Sequence, residues 1–344
     1  MSSGGCQTLK NRRVYKNFHL RQAQNVFQVW PAVSITAMFS YRHAFHAGNH
    51  ADVLKHTTLL ALMTYLTQKD TALTVIDTHA GAGLYRLDGD YSQTSGEAGQ
   101  GVLRLAAALH KAGASAVVAP ALQAYLDLLA GLNPGFEEAH DPATLSVYPG
   151  SPYLASRFME GRHKLKLYEL HPTDFKALSG NMAQLELGRA VACQMQDGFE
   201  ALKPLLPPPS RRALVVCDPS YEMKSDYARV TAVMTDAVKR FATGTYAVWY
   251  PLIPRPEAHD LPKKLKTLAQ REGRGWLDAT LTVKFSKLLT NEQGDVIRPG
   301  LPASGMFVIN PPYTLRAELK AALPQMVEWL GQDRNAGFTL THGS

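Results

Sequence analysis

Four short strand-like runs in this chain each stop at or just before an acidic residue, and that recurrence constrains the fold more than any other feature. Leu73-Thr74-Val75-Ile76 stops at Asp77, Lys164–Tyr168 at Glu169, the run at 190–193 shortly before Asp197, and Ala213–Cys217 at Asp218. Short runs rich in aliphatic and β-branched side chains, bounded by turn residues, read as strands, and the five apolar residues Ala213–Cys217 read as a buried parallel one. Helical patterns lie between most of them, as at 173–187 and 226–241. Strands alternating with helices imply a mostly parallel, doubly wound sheet. In such a sheet ligands bind beyond the carboxyl ends of the strands. The four acids therefore share one edge, an order hard to attribute to chance.

Further strand signals at 246–250, 281–285 and 306–309 bring the number to seven. The last two have no clear helix between them, so the sheet is expected to carry an antiparallel hairpin at its end. A helix is expected to begin near Asn49, a capping residue, with Val53, Leu54, Leu60, Ala61 and Tyr65 at helical spacing. The Ala- and Leu-rich stretch at 101–132 predicts two or three helices. The expected division is a main domain over 38–84 and 146–330, a helical insertion over 85–145, and a tail over 331–344.

Bulk composition narrows the class. A hydrophobic content of 45% with 19% charged residues fits an ordinary globular chain of one or two domains. No run of about 18 apolar residues signals a membrane span. Cys6, Cys193 and Cys217 lie far apart, which argues against a disulfide framework or a cysteine zinc site and for a reducing, cytoplasmic setting. The net charge of +7 is uneven. Residues 1–37 hold Lys10, Arg12, Arg13, Lys16 and Arg21 and no acid, leaving +2 for everything else. Any nucleic-acid argument must rest on local sites rather than on bulk charge. The basic segment is expected to be a poorly ordered extension, with Met38 as the natural first residue.

Asp218-Pro219-Ser220-Tyr221 combines an acid, a rigid turn and an aromatic ring at a strand end. That set suits gripping the exocyclic amine and the face of a flipped nucleobase; its bland alternative is a capping Asp in a Pro-Ser turn. The turn Asp77-Thr78-His79-Ala80-Gly81-Ala82-Gly83 places glycines where a backbone must pass close to a ligand. It lacks the G-x-G-x-x-G and G-K-[ST] patterns of dinucleotide and phosphate loops. Its nearest match is the acid and G-x-G of S-adenosylmethionine-dependent methyltransferases. Glu169 could accept ribose hydroxyls, and Asp197 could accept an adenine amine, with Phe199 packed nearby. Glu169 lies far beyond the usual gap of about 20 residues after the glycine turn, which is why the helical region is expected to be an insertion between the first two sheet strands.

Three competitors are present. Asn310-Pro311-Pro312-Tyr313 spells the amine-binding pattern better, but its strand should run antiparallel and deliver it to the opposite edge. His43, His46, His50, His56 and Asp52 cluster near the start, yet no complete metal-hydrolase motif is formed. A metal-dependent hydrolase built on that cluster and a non-catalytic RNA-binding module are the alternatives to an enzyme acting at Asp218. Cys217 could serve as a nucleophile, but with Asp218 holding the strand end it is expected to point into the core.

The segment Ser40-Tyr41-Arg42-His43-Ala44-Phe45-His46-Ala47-Gly48-Asn49-His50-Ala51-Asp52-Val53-Leu54-Lys55-His56 closely resembles the opening of the bacterial 23S ribosomal RNA adenine-N6-methyltransferases of the RlmJ family. Asp77–Gly83, Tyr148 to Pro152, Glu169-Leu170-His171-Pro172, Asp197-Gly198-Phe199, the tetrad at Asp218 and Trp249-Tyr250-Pro251 follow in that family's order. The resemblance implies a Rossmann-like class I methyltransferase fold, S-adenosylmethionine as donor without a metal, and a cytoplasmic monomer acting on 23S ribosomal RNA. It implies that His56, His79, Ser151, Glu169, Asp197, Gly198 and Asp218 contact the donor. It gives Asp218, with Pro219 and Tyr221, the catalytic role and Tyr41 a contact with the RNA, and it leaves Lys55 facing donor or RNA. Ser220 departs from the family's usual second proline, which puts the stiffness of that turn in question.

Overall fold

A computed structural model describes residues 46–87, 96–113, 115–286, 289–290, 296–297 and 300–344. Tyr41, His43 and the basic extension at 1–37 lie outside the described residues. The first half of the chain runs α1 (His50–Leu66), β1 (Thr74–Asp77), β2 (Leu84–Arg86), α2 (Val102–Ala112), α3 (Pro120–Ala130), α4 (Phe136–Ala139), β3 (Val147–Pro149) and α5 (Ser151–Ser156). It continues through β4 (Lys164–Tyr168), α6 (Pro172–Ala183), β5 (Val191–Gln194), α7 (Gly198–Leu205), β6 (Ala213–Cys217) and α8 (Lys224–Arg240). Last come β7 (Thr245–Pro251), α9 (Pro256–Arg271), β8 (Trp276–Thr282), β9 (Leu289–Thr290), β10 (Val296–Ile297), β11 (Ala303–Ile309), α10 (Leu315–Leu330) and β12 (Gly337–Gly343).

The main sheet has eight strands in the order β12-β8-β11-β7-β6-β1-β4-β5. The five from β7 to β5 are parallel. β11 slots between β7 and β8 antiparallel to both, and β12 pairs antiparallel with β8. The expected parallel sheet with a terminal antiparallel hairpin is therefore present, with one strand more than the seven foreseen. The extra strand, β12, falls inside the stretch expected to be a tail. As an edge strand it buries little on either face, so it carries no apolar run by which to recognise it. The strand expected at 281–285 lies earlier, at Trp276–Thr282.

Period-two alternation sends each strand's residues to two cores. On β6, Leu214 and Val216 join the core shared with α1, α3 and α10. Val215 and Cys217 face the core built with α7, α8 and α9. Each such fully buried aliphatic side chain contributes about 1.5–3 kcal/mol. Cys217 is fully buried, as expected, and burial pushes its thiol up to about 12. The helices inserted between β1 and β4 close through the β2–β3 pair. Leu105 and Leu122 from the insertion lie in one core with Leu54 of α1 and Leu323 of α10. α1 starts where the sequence placed it: the Asn49 side chain accepts the Asp52 amide at 2.9 Å.

Candidate active site at the carboxyl edge of the sheet

Because β1, β4, β5 and β6 run parallel, Asp77, Glu169, Asp197 and Asp218 arrive together at one edge. The turn after β1 crosses that edge with Gly81 and Gly83 at φ +61° and +79°, conformations that favour glycine. Glu169 grips the turn: its carboxylate accepts the Gly81 amide at 2.8 Å and the His171 amide at 2.7 Å. Burial holds this carboxyl above its ordinary range. Asp77 accepts the Ser151 hydroxyl at 2.7 Å and the His79 amide at 3.2 Å. Burial outweighs those bonds and lifts Asp77 to about 6.

Asp197 caps α7 through the Phe199 amide at 2.9 Å, and Arg229 donates to its other oxygen at 2.6 Å. Burial works against its charge, but Arg229 prevails and holds the carboxyl below its ordinary range. A Cβ at Gly198 would lie 1.9 Å from the Thr78 carbonyl oxygen, so only glycine lets α7 start directly against the β1 turn. Phe199 meets the His79 ring edge-on at 4.7 Å and the Arg229 guanidinium at 4.4 Å. Burial drives the His79 imidazole down to about 4, so it is neutral at neutral pH.

α1 delivers the remaining charges. The Lys55 ammonium donates to Asp218 Oδ2 at 2.5 Å and pairs with Asp52 at 2.8 Å. Its side chain is only 4% exposed, and that of Asp218 12%. Burial opposes the Lys55 charge, yet the two carboxylates outweigh it and hold the ammonium above the ordinary lysine range. Lys55 is thus a buried partner of Asp218 rather than an RNA-facing cation. His56, expected against the donor, is fully buried; its Nδ1 meets the Tyr148 hydroxyl at 3.0 Å, which in turn meets that of Tyr125 at 3.1 Å. This braces α1 against β3 and α3 and leaves the imidazole without exposed surface.

The Asp218 turn differs from expectation at Tyr221. Its ring is 2% exposed and packs on Tyr227 and Trp249, and its hydroxyl donates to the Trp249 carbonyl at 2.7 Å. Tyr221 is a wall residue here and not an open stacking platform. Pro219 is buried beside it. Asn310 follows the antiparallel β11 and so sits at the opposite edge, where its amide donates to the Ala242 and Gly244 carbonyls at 2.8 and 2.7 Å.

The histidines scatter. His46 pairs with Glu97 at 2.9 Å, His50 is buried on α1, and among the described residues no three metal-type ligands converge. Sequence reasoning missed Arg229 and Arg255, the latter donating to the Tyr221 carbonyl at 3.0 Å. It weighed Asp52 only as a metal ligand. No local spacing signals these contacts, because each joins segments far apart in the chain.

Comparison with known proteins identifies the family. Residues 70–341 match the family described as "Ribosomal RNA large subunit methyltransferase D, RlmJ". The chain is 36% identical over 303 residues to "Ribosomal RNA large subunit methyltransferase J" of Haemophilus influenzae, covering 88% of this chain and 98% of that protein. The protein of the same name from Escherichia coli is 37% identical, over 83% of this chain and 92% of its own length. A crystal structure of a Legionella pneumophila protein superposes with a TM-score of 0.71 at 31% identity, covering 87% of this chain and 99% of that one. This chain belongs to the RlmJ family of ribosomal RNA large subunit methyltransferases.

Proposed function

We propose that this protein methylates an adenine N6 in 23S ribosomal RNA, with S-adenosylmethionine as methyl donor, and that Asp218 and Pro219 hold the target amine. The observation that carries the reading is the meeting, on one sheet edge, of a glycine turn gripped by Glu169 and an Asp-Pro turn held by a buried lysine. The cleft fits the donor chemically. A cationic sulfonium with a ribose diol and an adenine amine matches an edge supplied with Asp77, Glu169, Asp197 and Asp218, and bare glycine backbone allows close approach. Glu169 and Asp197 each spend bonds on the protein's own groups, but a carboxylate has roughly four acceptor positions, so capacity remains for a ligand. His79, Ser151 and Gly198 line the same edge as donor contacts, and Tyr41 is assigned to the RNA.

The bound donor supplies an already activated methyl group; the protein's task is alignment and acceptance of a proton. Lys55 occupies Oδ2 of Asp218 and so fixes the carboxylate plane, leaving Oδ1 to accept one amine hydrogen. The Pro219 carbonyl accepts the second. Withdrawing both hydrogens from the ring plane turns the nitrogen lone pair away from conjugation and towards the methyl group. The amine lone pair forms the new N–C bond as the methyl–sulfur bond breaks, its electron pair returning to a sulfur that leaves as a neutral thioether. The surplus amine proton passes to Asp218, directly or through water. Tyr221 shapes the wall of the base pocket from behind the turn.

No described helix is long and apolar enough to cross a membrane, and we read the enzyme as a cytoplasmic monomer. The test incubates tritiated donor with protein-free 23S RNA, assembled subunits and DNA, followed by nucleoside analysis. N6-methyladenosine is expected in RNA only. Asp218→Ala should abolish transfer while donor binding stays measurable by calorimetry. Full activity in that variant would sink the assignment.

A further inference from the structure

Building on the reading of Asp218–Tyr221 as the amine-binding turn, we propose that Arg255 is a positioning residue that clamps this turn in its working shape. Tyr221 has φ +54°, in the left-handed region that a bulky residue adopts only when its surroundings impose it. Two bonds impose it. The hydroxyl is anchored on the Trp249 carbonyl at 2.7 Å, and the backbone carbonyl accepts from Arg255 Nη1 at 3.0 Å. The first fixes the ring; only the second acts on the main chain of the turn.

The turn needs such a clamp because little within it is rigid. Pro219 fixes one φ. Ser220 fixes none, and among the described residues its amide makes no backbone hydrogen bond. Without the Arg255 bond, the Tyr221 peptide is free to relax towards negative φ. Asp218 and the Pro219 carbonyl lie two or three residues upstream, so that relaxation shifts both amine acceptors.

Arg255 itself stands on a stiff base. Pro254 and Pro256 flank it. Its φ of −133° and ψ of 125° are the extended values imposed on a residue before proline. Its amide donates to the Ile253 carbonyl at 2.7 Å, and its carbonyl accepts the Ala258 amide at 3.0 Å as α9 begins. The guanidinium is half-buried and charged, so its bond to a carbonyl is among the stronger kind. Its contact with the turn is to the main chain of Tyr221, whose ring is buried against Tyr227 and Trp249.

The experiment compares wild type, Asp218→Ala, Arg255→Ala and Arg255→Lys by kcat, KM for 23S RNA, donor Kd from calorimetry, and Tm. Arg255→Ala is expected to lower kcat about 10- to 100-fold, the range for losing one charge-assisted hydrogen bond that aligns reacting groups. KM and donor Kd should stay within about threefold, because a clamp on the main chain of the turn acts on alignment and not on binding. Arg255→Lys keeps one donor and should recover part of kcat. A kcat for Arg255→Ala within twofold of wild type overturns the proposal, as does a parallel loss of donor binding. If Arg255→Ala fails to fold, Arg255→Lys decides: folded with a reduced kcat and unchanged Kd it supports the clamp. Folded with wild-type kcat, or unfolded, it refutes the clamp. A wild-type enzyme that binds donor but yields no N6-methyladenosine would instead refute the reading of the turn, independently of Arg255.

Discussion

Two ion pairs in this protein share an N–O distance of 2.5 Å and should differ greatly in energy. Lys55–Asp218 is buried, with side chains 4% and 12% exposed; Arg240–Asp236 lies on α8 with 37% and 44% exposed. Removing one partner of a buried pair strands the other charge, at a cost of about 3–5 kcal/mol. For Lys55→Met the higher figure applies, since the ammonium serves both Asp218 and Asp52. An exposed helical pair is worth only about 0.3–0.5 kcal/mol. Double-mutant cycles read by urea unfolding, with Lys55→Met and Asp218→Asn against Arg240→Met and Asp236→Asn, should give a coupling of about 3 kcal/mol at the first site and less than about 0.5 at the second. The pH arm has a definite sign. Lys55 is held above its ordinary value of 10.5, so its contribution is complete below that pH and fades only as pH rises beyond it. The coupling should thus be flat from about pH 6 to 9. A buried coupling under about 1 kcal/mol would refute the reasoning that desolvation, not distance, sets its strength.

Three further outcomes follow from the same geometry. Asn310→Ala should cost about 1–3 kcal/mol of stability by stranding the Ala242 and Gly244 carbonyls, while kcat stays at the wild-type value; a large kcat loss at unchanged stability would contradict its structural role. Asp77 sits near 6 when folded against an ordinary 3.8, so its contribution to stability falls as pH rises from about 4 to 6 and is level above. Asp77→Asn should therefore gain up to roughly 3 kcal/mol on the wild type across that window, and an unfolding difference constant with pH would rule this out. Glu169→Gln replaces an oxygen that accepts the Gly81 or the His171 amide with a donor; donor Kd should rise about tenfold by calorimetry, and an unchanged Kd would remove Glu169 from the donor site.

What the sequence disclosed and what it hid divide along a physical line. β1 and β6 are buried throughout and read as apolar runs, β4 and β5 carry shorter strand signals, and each of the four stops at or shortly before a turn acid, so the sheet and its acidic edge were legible. β12 was not, because a half-exposed edge strand has no apolar run and no alternation strong enough to separate it from a tail. The charge contacts were equally hidden. Lys55 meets Asp218 across 163 positions, Arg229 meets Asp197 across 32, and Arg255 meets Tyr221 across 34. Nothing local records such pairings. Residue type also misled in two places. A histidine and a tyrosine beside a cleft suggest ligand contact, whereas the packing of His56 on Tyr148 and of Tyr221 on Tyr227 and Trp249 consumes those faces.

The two Asp/Asn-Pro tetrads show why direction outranks spelling. Asn310 and Tyr221 hold almost the same left-handed φ, +53° and +54°, so each loop contains one strained residue fixed by hydrogen bonds. At Asn310 the side-chain amide gives both hydrogens to backbone carbonyls, and its own amide donates to the Gly275 carbonyl at 2.8 Å. Its ring partner Tyr313 stands 83% exposed against Tyr65, on the edge away from the glycine turn. That loop spends its polar atoms on closing the sheet. At Asp218 the arrangement is inverted: the strain falls on the aromatic residue, the ring is buried, and one carboxylate oxygen is left for a ligand while a lysine holds the other. Only a strand running parallel to β1 can bring such a carboxylate to the edge where Gly81 and Gly83 leave backbone bare. On the proposed reading, the amine-binding tetrad differs from its double in the edge its strand reaches and in the acceptors the protein leaves unspent, and the Arg255 bond stands in for the stiffness a second proline would give.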